Sequence, residues 1–140
     1  MSSPILNYND ISIYPSDVKL FLDGQWLNDV CINFCFAKKQ LEIAHKAILL
    51  MDPSVVSFLT FQVSDDEERD ELAEGLIMSE KEWLVVPVND CASLGGSSSH
   101  WSLLVCHVAS GFTVHFDSSN KYNAKSAQII GSKVAWLLGR

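Results

Sequence analysis

A chain of 140 residues, 48% hydrophobic and 19% charged, has the make-up of one ordinary globular domain and not of a disordered segment. Its net charge of −7 and pI near 4.9 exclude nucleic acid or an anionic membrane surface as the natural partner and leave basic protein surfaces open. The first residues, MSSPILNYND, carry no secretory leader, no apolar run approaches the ~20 residues that span a bilayer, and four cysteines without a C-x-x-C spacing suit the cytosol or nucleus.

In chain order, residues 1–9 form a loose start. Asp10–Tyr14 (DISIY) reads as a short edge strand broken by Pro15-Ser16-Asp17, and Val18–Phe21 leads to a turn at Asp23-Gly24. From Trp26 the pattern becomes helical, with Leu27, Val30, Cys31, Phe34 and Cys35 recurring at helical spacing. Both cysteines read as core residues of that helix. Asn28 is its N-cap and Asp29 sits at the positive end of its dipole. Trp26 then lies just outside a helix N-terminus, where a tryptophan is commonly a staple on the first turn. Leu41–Leu50 fits helix or strand. Asp52-Pro53 opens a further helix, with Val55, Val56, Phe58 and Leu59 on its apolar side. The acidic run Asp65–Glu74 is a solvated helix capped by Ser64, able to receive a basic partner.

The segment from Trp83 to Ser119 predicts three strands: Trp83–Val88, His100–Val108 and Phe112–Asp117. A Gly/Ser-rich loop over Cys91–Ser99 joins the first two, and a tight turn near Ala109-Ser110-Gly111 closes the last two as a hairpin. A two-residue turn there pairs residues whose numbers have an odd sum. One face then carries Trp101, Leu103, Val105, Phe112, Val114 and Phe116, which reads as the core face, with His107 as its exception. The other face brings His100 and Asp117 to roughly 5–8 Å between Cβ atoms. An imidazole oriented by a carboxylate is two thirds of a nucleophile-base-orienter triad. The competing readings are a cross-strand polar pair and a two-His-one-carboxylate metal set of His100, His115 and Asp117. Cys106 shares the face of His100 but lies roughly 20 Å along the strand, out of reach. Cys91 lies in the loop, with nothing to organise an oxyanion hole around it. Asn123–Leu138 closes the chain as a helix with Ala127, Ile130, Val134 and Leu137 on one side.

WLND at Trp26–Asp29, HW at His100–Trp101 and VHFDS at Val114–Ser118 follow one another in an order and spacing that resemble the papain-like proteases cleaving ubiquitin-like modifiers, the sentrin/SUMO-specific class. SDVKLFLDGQWLND, VPVND and HFDS look most like its deneddylating branch, and the resemblance covers nearly the whole chain. It implies an α+β fold, a mostly antiparallel sheet flanked by helices, forming a single catalytic domain over residues 1–140. It also implies a cysteine-type isopeptidase that cuts after a C-terminal Gly-Gly, with no cofactor and no metal.

The partners so implied are a Nedd-type modifier first, a SUMO-type modifier second, and conjugates such as cullins, taken up by a monomer. By the resemblance His100 is the general base and Asp117 its orienter. Trp26 and Trp101 flank a tunnel through which only a glycine backbone passes. Asp29 binds the tail or an arginine of the modifier, and Asn89, with Asp90, belongs to a loop that shifts as substrate enters. The family's nucleophile lies in an Asp-Cys-Gly segment with a neighbouring oxyanion glutamine, and neither occurs in these 140 residues. The fold is therefore expected to be incomplete at its C-terminal end and this chain inactive, or else a module that binds a modifier tail without cutting it.

Overall fold

A computed structural model of the chain describes residues 3–43, 45–91 and 99–140. A small antiparallel ribbon, β1 (Leu6–Tyr8) and β2 (Ile11–Ile13), precedes α1 (Pro15–Val18) and the long α2 (Asp29–Glu42). Then come β3 (Ile48–Leu50), α3 (Pro53–Phe61), α4 (Asp66–Gly75), β4 (Trp83–Asn89), β5 (Trp101–His107), β6 (Thr113–Phe116) and α5 (Ala124–Leu137). The main sheet runs β3-β4-β5-β6, with β3 parallel to β4 and the other pairs antiparallel. The α+β class and the mainly antiparallel sheet agree with the sequence expectation. Residues 92–98 of the expected Gly/Ser loop lie outside the described residues.

Local chemistry explains most boundaries. Asn28 caps α2, its Oδ1 accepting the Cys31 N–H at 2.9 Å. Asp52 does the same for α3, accepting from Ser54 N at 2.8 Å, with Pro53 in the first helical position. Pro15-Ser16-Asp17 does not simply break the preceding strand. Proline opens α1, and the Asp17 carboxylate accepts the Tyr14 N–H at 2.9 Å. The cap of α4 is Asp65, accepting from Glu68 N at 2.8 Å, and not Ser64. The ambiguous Leu41–Leu50 stretch divides, the helix ending at Glu42 and the strand starting at Ile48. Gln40 makes the join: its side chain donates to Ile48 O at 2.9 Å and accepts from Leu50 N at 2.8 Å, occupying the open edge of β3.

The hairpin register has the expected odd sum, with Leu103 opposite Phe116 and Cys106 opposite Thr113. Its loop is wider than two residues. His107 N bonds to Phe112 O at 2.9 Å, and Gly111, at φ +72°, sends its N–H back to His107 O at 2.8 Å. The core face is the reverse of the one expected. Leu84, Val86 and Val88 of β4 and Leu104 and Cys106 of β5 are the buried residues. They pack beneath Val56 and Leu59 of α3 and Ala127, Ile130, Val134 and Leu137 of α5. Phe112 is 68% exposed and Phe116 57%. Both faces of these strands are apolar enough to serve, and the choice falls to the helices: α3 and α5 bury their apolar stripes on the even-numbered face. Of the two cysteines assigned to the helix core, Cys31 is buried but Cys35 is exposed. Helix α2 buries only a narrow line of residues, and Cys35 falls outside it.

Candidate active site

Three chain segments meet at one end of β4 and β5. The first is WLND. Asn28, having capped α2 with its oxygen, donates its Nδ2 hydrogen to Asp17 Oδ1 at 3.0 Å, tying that helix start to α1. At the residue just before it, Trp101 Nε1 donates to Leu27 O at 2.8 Å. The backbone on either side of Leu27 is thus held from both α1 and β5, while Trp26 itself stands 70% exposed. Asp29 is also exposed. Partial desolvation, and then the neighbouring Asp52 carboxylate, push its pKa upward.

The second segment is the strand end at Asn89 and Asp90. Asn89 lies directly opposite Trp101 in the β4–β5 ladder, and its Oδ1 accepts the Cys91 N–H at 3.0 Å. Asp90 gathers the other end of the connection. Its Oδ1 accepts from Ser99 N at 2.7 Å and His100 N at 3.2 Å, and its Oδ2 accepts from Ser99 Oγ at 2.7 Å. Desolvation pulls the Asp90 pKa up, and the Ser99 and His100 hydrogen bonds together outweigh it and bring it down. Trp101 and Asn89 line a cleft of about 290 Å³ whose far walls are Val56 and Phe61 of α3 and Ile129 of α5.

The third segment carries the acid. His100 Nε2 and Asp117 Oδ1 are 2.6 Å apart, and the Asp117 side chain is almost wholly covered. Asp117 Oδ1 also accepts from Ser119 N at 2.9 Å, and its Oδ2 from Asn123 N at 2.8 Å. Desolvation raises the Asp117 pKa, but the Asn123 N–H, the His100 contact and the Ser119 N–H prevail and hold it at about 2. At neutral pH this carboxylate has no hydrogen to give. Nε2 of a neutral His100 therefore carries one, and Nδ1 is the nitrogen left to take a proton. Tyr122 covers an edge of the imidazole, ring centroids 5.2 Å apart.

The pH dependence has a definite sign. A carboxyl depressed from the ordinary value of about 3.9 to about 2 contributes stability that is complete above pH ~4 and lost as pH falls through ~2. Thermal melts of the wild type and Asp117→Asn should therefore differ by a constant amount above pH ~4 and converge below it. A gap that stays unchanged down to pH ~2 would mean that Asp117 is not held ionised by these contacts.

His100 and Asp117 are thus brought into contact, and Trp101 and Asn89 are brought beside them. Trp26 is close in the chain to Trp101's bonding partner, and Asp29 faces Asp52. Sequence reasoning missed Asn123, read only as the start of a helix, although it is 1% exposed and bonded to both members of the pair. Its signal was the polar residue six positions after Asp117, at the mouth of an apolar helix. His115 is turned to Ser102 Oγ at 2.8 Å. Among the described residues no three His, Cys, Asp or Glu side chains are arranged to hold a metal ion.

The probable sentrin-specific protease 8 of Dictyostelium discoideum is 33% identical over 99% of this chain and 60% of its own length. The chain is thus similar to sentrin-specific proteases along almost its whole length. Human sentrin-specific protease 8 is 29% identical over 100% of the chain and 67% of its own length. The chain therefore spans about 60 to 67% of these relatives' own length. The NEDD8-specific protease 1 of Arabidopsis thaliana is 29% identical over 89% of the chain. No protein-family model matches. Among solved structures, the yeast Ulp1 protease domain in complex with Smt3, the yeast ortholog of SUMO, superposes on 96% of the chain with a TM-score of 0.66 at 20% identity. That likeness is one of fold.

Proposed function

We propose that this chain forms the base-bearing part of a cysteine-type peptidase that processes or removes a ubiquitin-like modifier after its C-terminal Gly-Gly. A Nedd-type modifier is the first choice and a SUMO-type modifier the second. The observation that carries the reading is the 2.6 Å His100–Asp117 contact, which leaves Nδ1 to act, on a residue immediately preceding Trp101. In this role Asp117 fixes the tautomer and His100 takes the proton of an attacking thiol, then returns it to the leaving amine. Trp26 and Trp101 would hold the glycines between two indoles. Asn89 would meet the tail where β4 ends, and Asp29 would meet the tail or a modifier arginine. Conjugates such as cullins would be substrates of the whole enzyme, acting as a monomer in the cytosol or nucleus.

Within these residues the thiols of Cys31 and Cys106 are buried in α2 and β5, and Cys35 lies exposed on α2. None of the three serves His100. For the 140-residue chain by itself, which holds no Asp-Cys-Gly segment, the proposed activity is capture of the tail without cleavage. Calorimetric titration with an intact Nedd-type modifier and with the same modifier lacking its two terminal glycines tests this. The intact form should bind at least tenfold tighter, about 1.4 kcal/mol, and equal affinity for the two forms would sink the reading.

A further inference from the structure

Asn123 sits at the N-cap of α5 but does not cap it, since its side chain makes no bond to its own helix. The amide is instead turned into the sheet and 1% exposed. Its Nδ2 donates towards Val88 O at 3.3 Å, His100 O at 3.1 Å and Ser102 Oγ at 3.1 Å. Its backbone N–H meets Asp117 Oδ2 at 2.8 Å. One residue thus grips the carboxylate with its main chain and the peptide of His100 with its side chain. Two carbonyls around Nδ2 fix the orientation of the amide and leave Oδ1 buried with no hydrogen-bond partner.

That arrangement is costly twice over. A capping bond worth having is forgone, and a buried acceptor goes unsatisfied. A residue serving only to start a helix would have its oxygen on the first-turn N–H groups. What the inward rotamer supplies is a pair of donors at the junction of β4, β5 and the turn after β6, where His100 and Asp117 arrive on different strands. Each arrives near a strand end, where the ladder no longer holds it: β5 is described from Trp101 and β6 ends at Phe116.

We propose that Asn123 is a positioning residue for the His100–Asp117 pair, a strut that fixes the imidazole's backbone and its carboxylate partner relative to each other. It acts through those residues and touches no substrate. The proposal deepens the functional reading, since it assigns a support to the base named there.

The test reads the imidazole directly, so that its failure is distinct from failure of tail binding. In low-temperature proton spectra of the isotope-labelled full chain, the His100 Nε2–H should appear downfield of the amide envelope. In Asn123→Ala that proton should vanish or exchange at least about tenfold faster while the backbone spectrum stays folded. Ile130→Val, which loosens α5 on the sheet without touching these bonds, should leave the signal in place. An unchanged signal in folded Asn123→Ala, or equal loss in Ile130→Val, overturns the proposal. Should Asn123→Ala give no folded spectrum, wild-type exchange decides. The imidazole proton and the Asn123 side-chain protons should then share one opening event, with protection agreeing within about threefold. An imidazole proton at least about 100-fold less protected shows that the pair opens without Asn123, and overturns it.

Discussion

Replacing Leu59 by alanine should cost about 2–5 kcal/mol in urea unfolding, while Phe116→Ser should stay within about 0.5 kcal/mol of the wild type. Both remove a large apolar side chain. Leu59 is 0% exposed, centred on α3 against the even-numbered face of the sheet, so truncation leaves a cavity between closed layers. Phe116 is 57% exposed on the opposite face, so truncation there leaves no closed cavity. Against a typical domain stability of ~5–15 kcal/mol, the first change takes a large part of the total. A larger loss from Phe116→Ser than from Leu59→Ala would mean that the odd-numbered face is the core after all.

The second large effect concerns modifier binding. Trp26→Ala should weaken binding of an intact Nedd-type modifier by about 30-fold or more, the loss expected at a tryptophan hot spot. It should leave the unfolding midpoint nearly unmoved, because Trp26 is 70% exposed and no described hydrogen bond uses its indole. Trp101→Ala should lower both binding and stability, since it also breaks the 2.8 Å bond to Leu27 O. The comparison separates contact from support. Undiminished binding in Trp26→Ala would remove the indole pair from the proposed function.

Much of this was legible in the residues. Caps of the Asn28 and Asp52 kind are local, and side-chain parity fixed which residues of β5 and β6 share a face without any tertiary knowledge. The pairing of His100 with Asp117 followed from that parity alone. Which of the two faces is the core did not follow. β5 alternates apolar residues on both sides, and the decision rests on where distant helices land. Asn123 was hidden for a related reason. Its identity suits a helix start, and only the meeting of three strand ends turns its amide inward. Cys35 repeats the lesson on a smaller scale: helical spacing shows which residues align, not how wide a stripe the neighbours cover.

Pro87 gives the sheet a direction of growth. Val108 N donates to Glu82 O at 2.9 Å, so alternate positions of β4 exchange bonds with β5 and the nitrogen of residue 87 points the other way. On that side β3 pairs only as far as Val85. The remainder of β4 has no strand partner on that side, where Pro87 is buried beside α3, and a proline nitrogen there offers an arriving strand no donor. In the four-stranded sheet, the margin left without a strand partner at the far end from β3 is β6, four residues long from Thr113 to Phe116. Extension of the main sheet, whether by an extended peptide or by a second copy in a crowded solution, is thus directed to a short register beside Asp117.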